Sequence, residues 1–152
     1  MKSMQQWLSE YGESHQNPTN KMVHFVCVPV IFFTIVGLLY CVHIDIPAHP
    51  ITLAHIAIII VAAYYCFLSI PLAVGMALFS ALCILLCRTI QIATGGNLIY
   101  VAIGLFVIAW IAQFWGHNVE GKKPSFLKDI QFLMIGPAWI MSFIYKKIGL
   151  SI

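Results

Sequence analysis

Charge is scarce in this chain, which has eight Lys and Arg and five Asp and Glu in 152 residues. The charged share is 9%, the hydrophobic share 61% and the mean hydropathy +0.93. A soluble domain carries about 25% charged residues, so water is excluded as the main solvent of this surface. The few cations form no Arg-rich segment and no basic stripe, which excludes a nucleic-acid partner. Cys-x-x-Cys spacing is missing too. Cys27, Cys41, Cys66, Cys83 and Cys87 all lie in apolar runs, where they read as small buried hydrophobes rather than a disulfide or metal framework. There is no Gly-x-Ser-x-Gly elbow, no Walker-type phosphate loop, no repeat of fixed period and no inverted-half pattern. Nor is a cleavable signal peptide visible: the first twenty residues are polar, and the apolar run from Met22 is expected to act as its own targeting signal.

What the chain does have is a series of apolar runs. Those at about 22–42, 52–69, 71–90 and 98–116 are each long enough for a transmembrane helix. They predict an all-α integral membrane bundle of about four transmembrane helices, forming a single membrane domain over residues 1–152. Pro29 is a predicted kink in the first run. Before it, Met1, Met4, Trp7, Leu8 and Tyr11 recur at helical spacing among polar residues, which predicts a short interfacial helix over 1–14. Asn17 followed by Pro18 has the form of a helix N-cap with proline at the first helical position. After the fourth run come a polar loop, Gly116 to Asp129, and a shorter apolar stretch at about 131–145, interrupted by Gly136 and Pro137. Its length suits a C-terminal re-entrant or interfacial segment better than a fifth crossing.

Four crossings put both termini on one side, together with Lys2, Lys21, Lys122, Lys123, Lys128, Lys146 and Lys147, and leave Arg88 on the other. By the positive-inside bias that side is cytoplasmic, in a bacterial inner membrane or in the endoplasmic reticulum of a eukaryote. The aromatics Trp7, Trp110, Trp115, Trp139 and Tyr145 read as interface anchors and packing groups, with no chemistry assigned.

An even number of crossings also brings the start of the first span and the end of the fourth to the same face. His15 and His24 then sit level with His117. Asn20 and His24 are four residues apart, as are Gln113 and His117, while His117 and Glu120 are three apart, so each set shares a helical face if the helices extend that far. Three imidazoles and a carboxylate suit a non-haem iron(II) centre, and zinc would accept the same set. Spacing alone does not separate the two metals. The opposite face offers a rival cluster of similar chemistry, His43, Asp45, His49 and His55, confined to a single connecting turn.

The stretches Tyr11-Gly-Glu-Ser-His15-Gln-Asn17-Pro18-Thr-Asn20-Lys-Met-Val-His24 and Gln113-Phe-Trp-Gly-His117-Asn-Val-Glu120 carry a resemblance. Together they resemble a family of small membrane proteins, long classed as of unknown function, whose fungal member is an iron(II)-dependent 2-hydroxy fatty acid dioxygenase of fatty acid α-oxidation. The resemblance implies Fe(2+) as cofactor and, as substrates, dioxygen and a 2-hydroxy fatty acid drawn from the membrane lipids. It also implies His15, His24 and His117 as iron-linked and catalytic residues, with Glu120 a ligand or the partner of one, and Asn17, Asn20 and Gln113 in support. Three protein ligands leave positions on one ion for the carboxylate and hydroxyl of such an acid and for dioxygen. Cys27 and Ser125 depart from the residues usual in the family, and neither is among these positions. Two other classes fit the residues without the resemblance: a non-enzymatic module such as a small transporter or assembly partner, whose histidines bind headgroups or an ion, and a zinc-dependent membrane hydrolase.

Overall fold

The computed structural model describes residues 2–44, 51–124 and 131–150. Within them the chain forms six helices: α1 (Met4–Gly12), α2 (Pro18–Tyr40), α3 (Leu53–Leu68), α4 (Ile70–Ala93), α5 (Leu98–Glu120) and α6 (Phe132–Lys147). A two-residue antiparallel pair, β1 (His43–Ile44) with β2 (Ile51–Thr52), closes the connection from α2 to α3. The protein is all-α. Helices α2, α4 and α5, of 23, 24 and 23 residues, are long and apolar enough to cross a membrane. Helix α3, over the expected second span, has 16 residues and is shorter than the about 20 that a perpendicular crossing needs. Ile59, Phe67, Leu78, Ile108 and Ile111 stand exposed on the outer surface, as expected where the surroundings are lipid rather than water.

Local sequence sets the helix ends. The Asn17 side chain accepts from the backbone N–H of Thr19 at 2.9 Å and of Asn20 at 3.4 Å, and Pro18 occupies the first turn, where its missing N–H costs nothing. Ser69 caps α4 in the same way, accepting from Leu72 N–H with Pro71 in the first turn. Helix α5 runs one turn beyond the apolar run, to Glu120, and stops where Gly121 takes φ +72°, a left-handed conformation that favours glycine. Gln113, His117 and Glu120 therefore lie along one helix.

Helices α2 and α5 pack antiparallel and form the spine of the bundle. A Cβ on Gly116 would come within 2.7 Å of Asn20 Oδ1, so glycine is what lets α5 approach the start of α2 this closely. The apolar side of α1, Met4, Trp7 and Tyr11, is buried, with the Trp7 and Phe132 rings meeting edge to face at 5.3 Å. Helix α6 continues through Gly136 and Pro137, where the sequence predicts an interruption. Proline removes one backbone donor from that turn. The Tyr65 hydroxyl of α3 donates to Met134 O there, and the small Gly136 lets the Tyr11 ring pack against the helix. Farther along, the Tyr145 hydroxyl donates to Pro71 O at the start of α4.

Gly75 faces that last contact: a Cβ there would lie 2.4 Å from the Tyr145 hydroxyl oxygen. Gly75→Val is expected to displace Tyr145, break its bond to Pro71 and destabilise the bundle by about 1–3 kcal/mol. Thermal unfolding of the detergent-purified protein checks this, and an unchanged midpoint would show that α4 and α6 are not tightly packed at this position.

Candidate metal centre

His15 lies in the turn between α1 and α2, His24 in the second turn of α2, and His117 in the last turn of α5. Their ring centroids are 4.2 Å apart for His15 and His24, 4.8 Å for His24 and His117, and 5.1 Å for His15 and His117. All three side chains are buried, and their ligand nitrogens lie within 4.8 Å of one another. The triad foreseen in the sequence is thus assembled from three separate segments of chain.

Hydrogen bonds fix two of the rings. His15 Nδ1 donates to Tyr11 O at 2.6 Å, and His24 Nδ1 donates to Asn20 O at 2.9 Å. A carbonyl can only accept, so in both rings the proton sits on Nδ1 and the lone pair on Nε2. His15 Nε2 and His117 Nδ1 are buried and have no hydrogen-bond partner among the described residues. Orphaned buried nitrogens are rare in folded proteins, and here two belong to rings in mutual contact. Burial pushes the His15 ring down to about 4, with His117 adding to the effect and the Tyr11 carbonyl and Glu120 opposing it. The ring is neutral at pH 7 and its lone pair is available. Neutral imidazoles that converge with bare nitrogens suit iron(II) or zinc.

Glu120 is placed otherwise. Its Oε1 accepts from Gln16 N–H at 2.9 Å, and its Oε2 accepts from Asn17 N–H at 2.8 Å and from Asn20 Nδ2 at 3.1 Å. Both oxygens are thus committed to the turn that carries His15. Asn20 extends the network by donating to Ser14 O at 3.2 Å, and Lys122 Nζ reaches Glu13 O at 2.6 Å. The carboxylate ties the end of α5 to the start of α2, in the manner of an outer partner that orients the rings.

Two aromatic residues with no chemistry assigned from the sequence complete the surroundings of His15. Tyr11 stacks on it at 4.2 Å with an interplanar angle of 15°, and Trp139 of α6 approaches at 5.4 Å. The four-residue spacing of Tyr11 and His15 was a usable signal for the first. No sequence spacing pointed to Trp139. Of the rival cluster, Asp45 and His49 lie outside the described residues. His43 is exposed, and His55 Nδ1 accepts from Thr52 N–H at 3.2 Å, which makes it part of a helix cap.

A cavity of about 270 Å³ opens from this centre, far larger than ordinary packing voids. Tyr11, His24, Gln113 and His117 form its polar head. Beyond them the α2 residues Val28, Ile31, Phe32, Ile35 and Val36 line it continuously, facing α3 residues on the other side.

A helical bundle with apolar spans and three converging buried imidazoles, two of them lining the head of an apolar chamber, is a membrane-type fold whose site could hold a metal ion. The chain belongs to the Mpo1-like family, whose model, described as 2-hydroxy-palmitic acid dioxygenase Mpo1-like, matches residues 1–148. It is 31% identical over 145 residues to the 2-hydroxy-palmitic acid dioxygenase MPO1 of Saccharomyces cerevisiae, a match that covers 93% of this chain and 79% of the yeast protein. Membership makes it an oxidoreductase by resemblance. No solved structure gives a significant match.

Replacing Glu120 by glutamine puts an amide NH₂ against one set of its N–H donors. Glu120→Gln is expected to lower affinity for a divalent cation about 10- to 100-fold, measured by competition with a chelator. Lys122→Met, which removes only an exposed contact, is expected to change it little. Equal affinities in Glu120→Gln and the unmodified protein would remove Glu120 from the positioning network.

Proposed function

We propose that this protein is an iron(II)-dependent dioxygenase that shortens 2-hydroxy fatty acids by one carbon. One observation carries the reading: three buried imidazoles converge, two of them with bare nitrogens, and His24 and His117 among them line the head of a cavity whose walls are mainly apolar. The substrate named for the yeast relative has the matching form, a polar 2-hydroxy acid head on a long hydrocarbon chain.

His15, His24 and His117 would hold the iron, with Glu120, Asn17 and Asn20 keeping the three chain segments in register. Ferrous iron, when bound, supplies the electron-transfer chemistry that lets dioxygen react. Gln113 lies one helical turn before His117 and lines the cavity, so its amide is positioned to hydrogen-bond the carboxylate or hydroxyl of the acid. The apolar walls hold the chain, with each buried methylene contributing about 0.8 kcal/mol. They also keep water from the reacting carbon.

The overall change balances without an outside reductant. The bond between the carboxyl carbon and the hydroxyl-bearing carbon breaks, the former carboxyl leaves as carbon dioxide and the hydroxyl-bearing carbon becomes the new carboxyl. Two hydrogens leave as water, and the four electrons given up by the acid reduce one dioxygen. Both termini and the metal centre are assigned to the cytoplasmic side by the positive-inside bias, with Lys21 in the first turn of α2 and Lys122 and Lys123 just after α5.

Purified protein supplied with iron(II) and 2-hydroxypalmitate is expected to consume dioxygen and release carbon dioxide in equal amounts with no added reductant, leaving a fatty acid one carbon shorter. His24→Ala is expected to retain little iron and less than about one hundredth of the activity. A requirement for a reductant, turnover without dioxygen, or full activity in His24→Ala would contradict the assignment.

A further inference from the structure

The far end of the cavity is as well defined as its head. Helix α2 lines it from His24 to Leu39, fifteen residue steps or about 22 Å at 1.5 Å per residue. Helix α3 runs alongside and contributes Ala54, Ala57, Ile58 and Val61. Ala54 is in the first turn of α3, directly after the β1–β2 pair, and Leu53 N–H donates to Val42 O at 2.9 Å. These links hold the start of α3 beside the end of α2, so Leu39, Ala54 and Ala57 close the chamber at the end opposite the imidazoles. Ala54 is fully buried. Two of the three are alanines, and any longer side chain there would project into the space.

We infer that Leu39, Ala54 and Ala57 form a floor that sets the acyl chain length this protein accepts. The inference rests on the reading of the cavity as the site of a 2-hydroxy fatty acid. An extended alkyl chain with bonds of about 1.5 Å advances roughly 1.25 Å per carbon. The about 22 Å between head and floor therefore accommodates about 16 to 18 carbons. A shorter chain leaves apolar wall without partner atoms, and a longer one must bend or withdraw its head from the imidazoles. Binding is then tightest for the chain that just reaches the floor.

Two measurements on the full-length protein in nanodiscs test this. The first is the rise in thermal midpoint caused by saturated 2-hydroxy acids of ten to twenty carbons, which reads binding independently of chemistry. The second is oxygen consumption with the same series after iron loading. The unmodified protein is expected to respond most to acids of about 16 to 18 carbons in both. Ala54→Phe and Ala57→Phe should move the optimum down by about four carbons, and Leu39→Ala should move it up by two or more. The opposite shift in Leu39→Ala guards against a variant that is merely unstable. Optima that stay in place in all three variants would overturn the floor, and turnover with an unshifted profile would do so while leaving the dioxygenase reading intact. Binding optima that move as expected, with no oxygen consumed by any acid, would support the floor and defeat the dioxygenase reading.

Discussion

Much of this structure depends on one carboxylate. Glu120, the last residue of α5, accepts hydrogen bonds from Gln16, Asn17 and Asn20, about a hundred positions earlier in the chain. That clamp ties the turn carrying His15, which joins the nine-residue α1 to α2, to the end of α5. With it, three imidazoles from three segments occupy one small volume. The desolvation this imposes is what keeps the His15 ring neutral and its lone pair free.

The bilayer makes such a clamp both possible and necessary. In an apolar medium an unpaired polar group is costly, so polar side chains gather where they can satisfy one another. The Asn17, Asn20 and Glu120 network does this at one rim of the bundle. The small residue Gly116 lets the two long helices come close enough for the network to close. Below the rim the chamber walls are mainly apolar. The same segregation that places the helices in lipid produces a chamber with a polar head and a hydrocarbon floor.

Much of the architecture was legible in the sequence. The long apolar runs became helices α2, α4 and α5, and Asn17 with Pro18 marked the start of α2. The meeting of His15, His24 and His117 followed from counting crossings, because an even number returns the chain to its starting face. Four-residue spacings placed Asn20 beside His24 and Gln113 beside His117. What stayed hidden depended on tertiary packing. Nothing local showed that both oxygens of Glu120 would be taken up by the α1–α2 turn. The approach of Trp139 to His15 required α6 to run unbroken through Pro137, which hydropathy and turn residues argued against. The cavity exists only once α2, α3, α5 and α6 are assembled, so no single stretch of sequence announces it.

We propose that His15, His24 and His117 together hold one ferrous ion beside the apolar chamber. X-ray absorption at the iron edge tests it most directly, since imidazole rings leave a multiple-scattering signature that carboxylates and water lack. One iron per chain is expected, with scattering from three imidazoles that falls to two in His117→Ala. A shell made only of oxygen, or an imidazole signal that His117→Ala leaves unchanged, would contradict it.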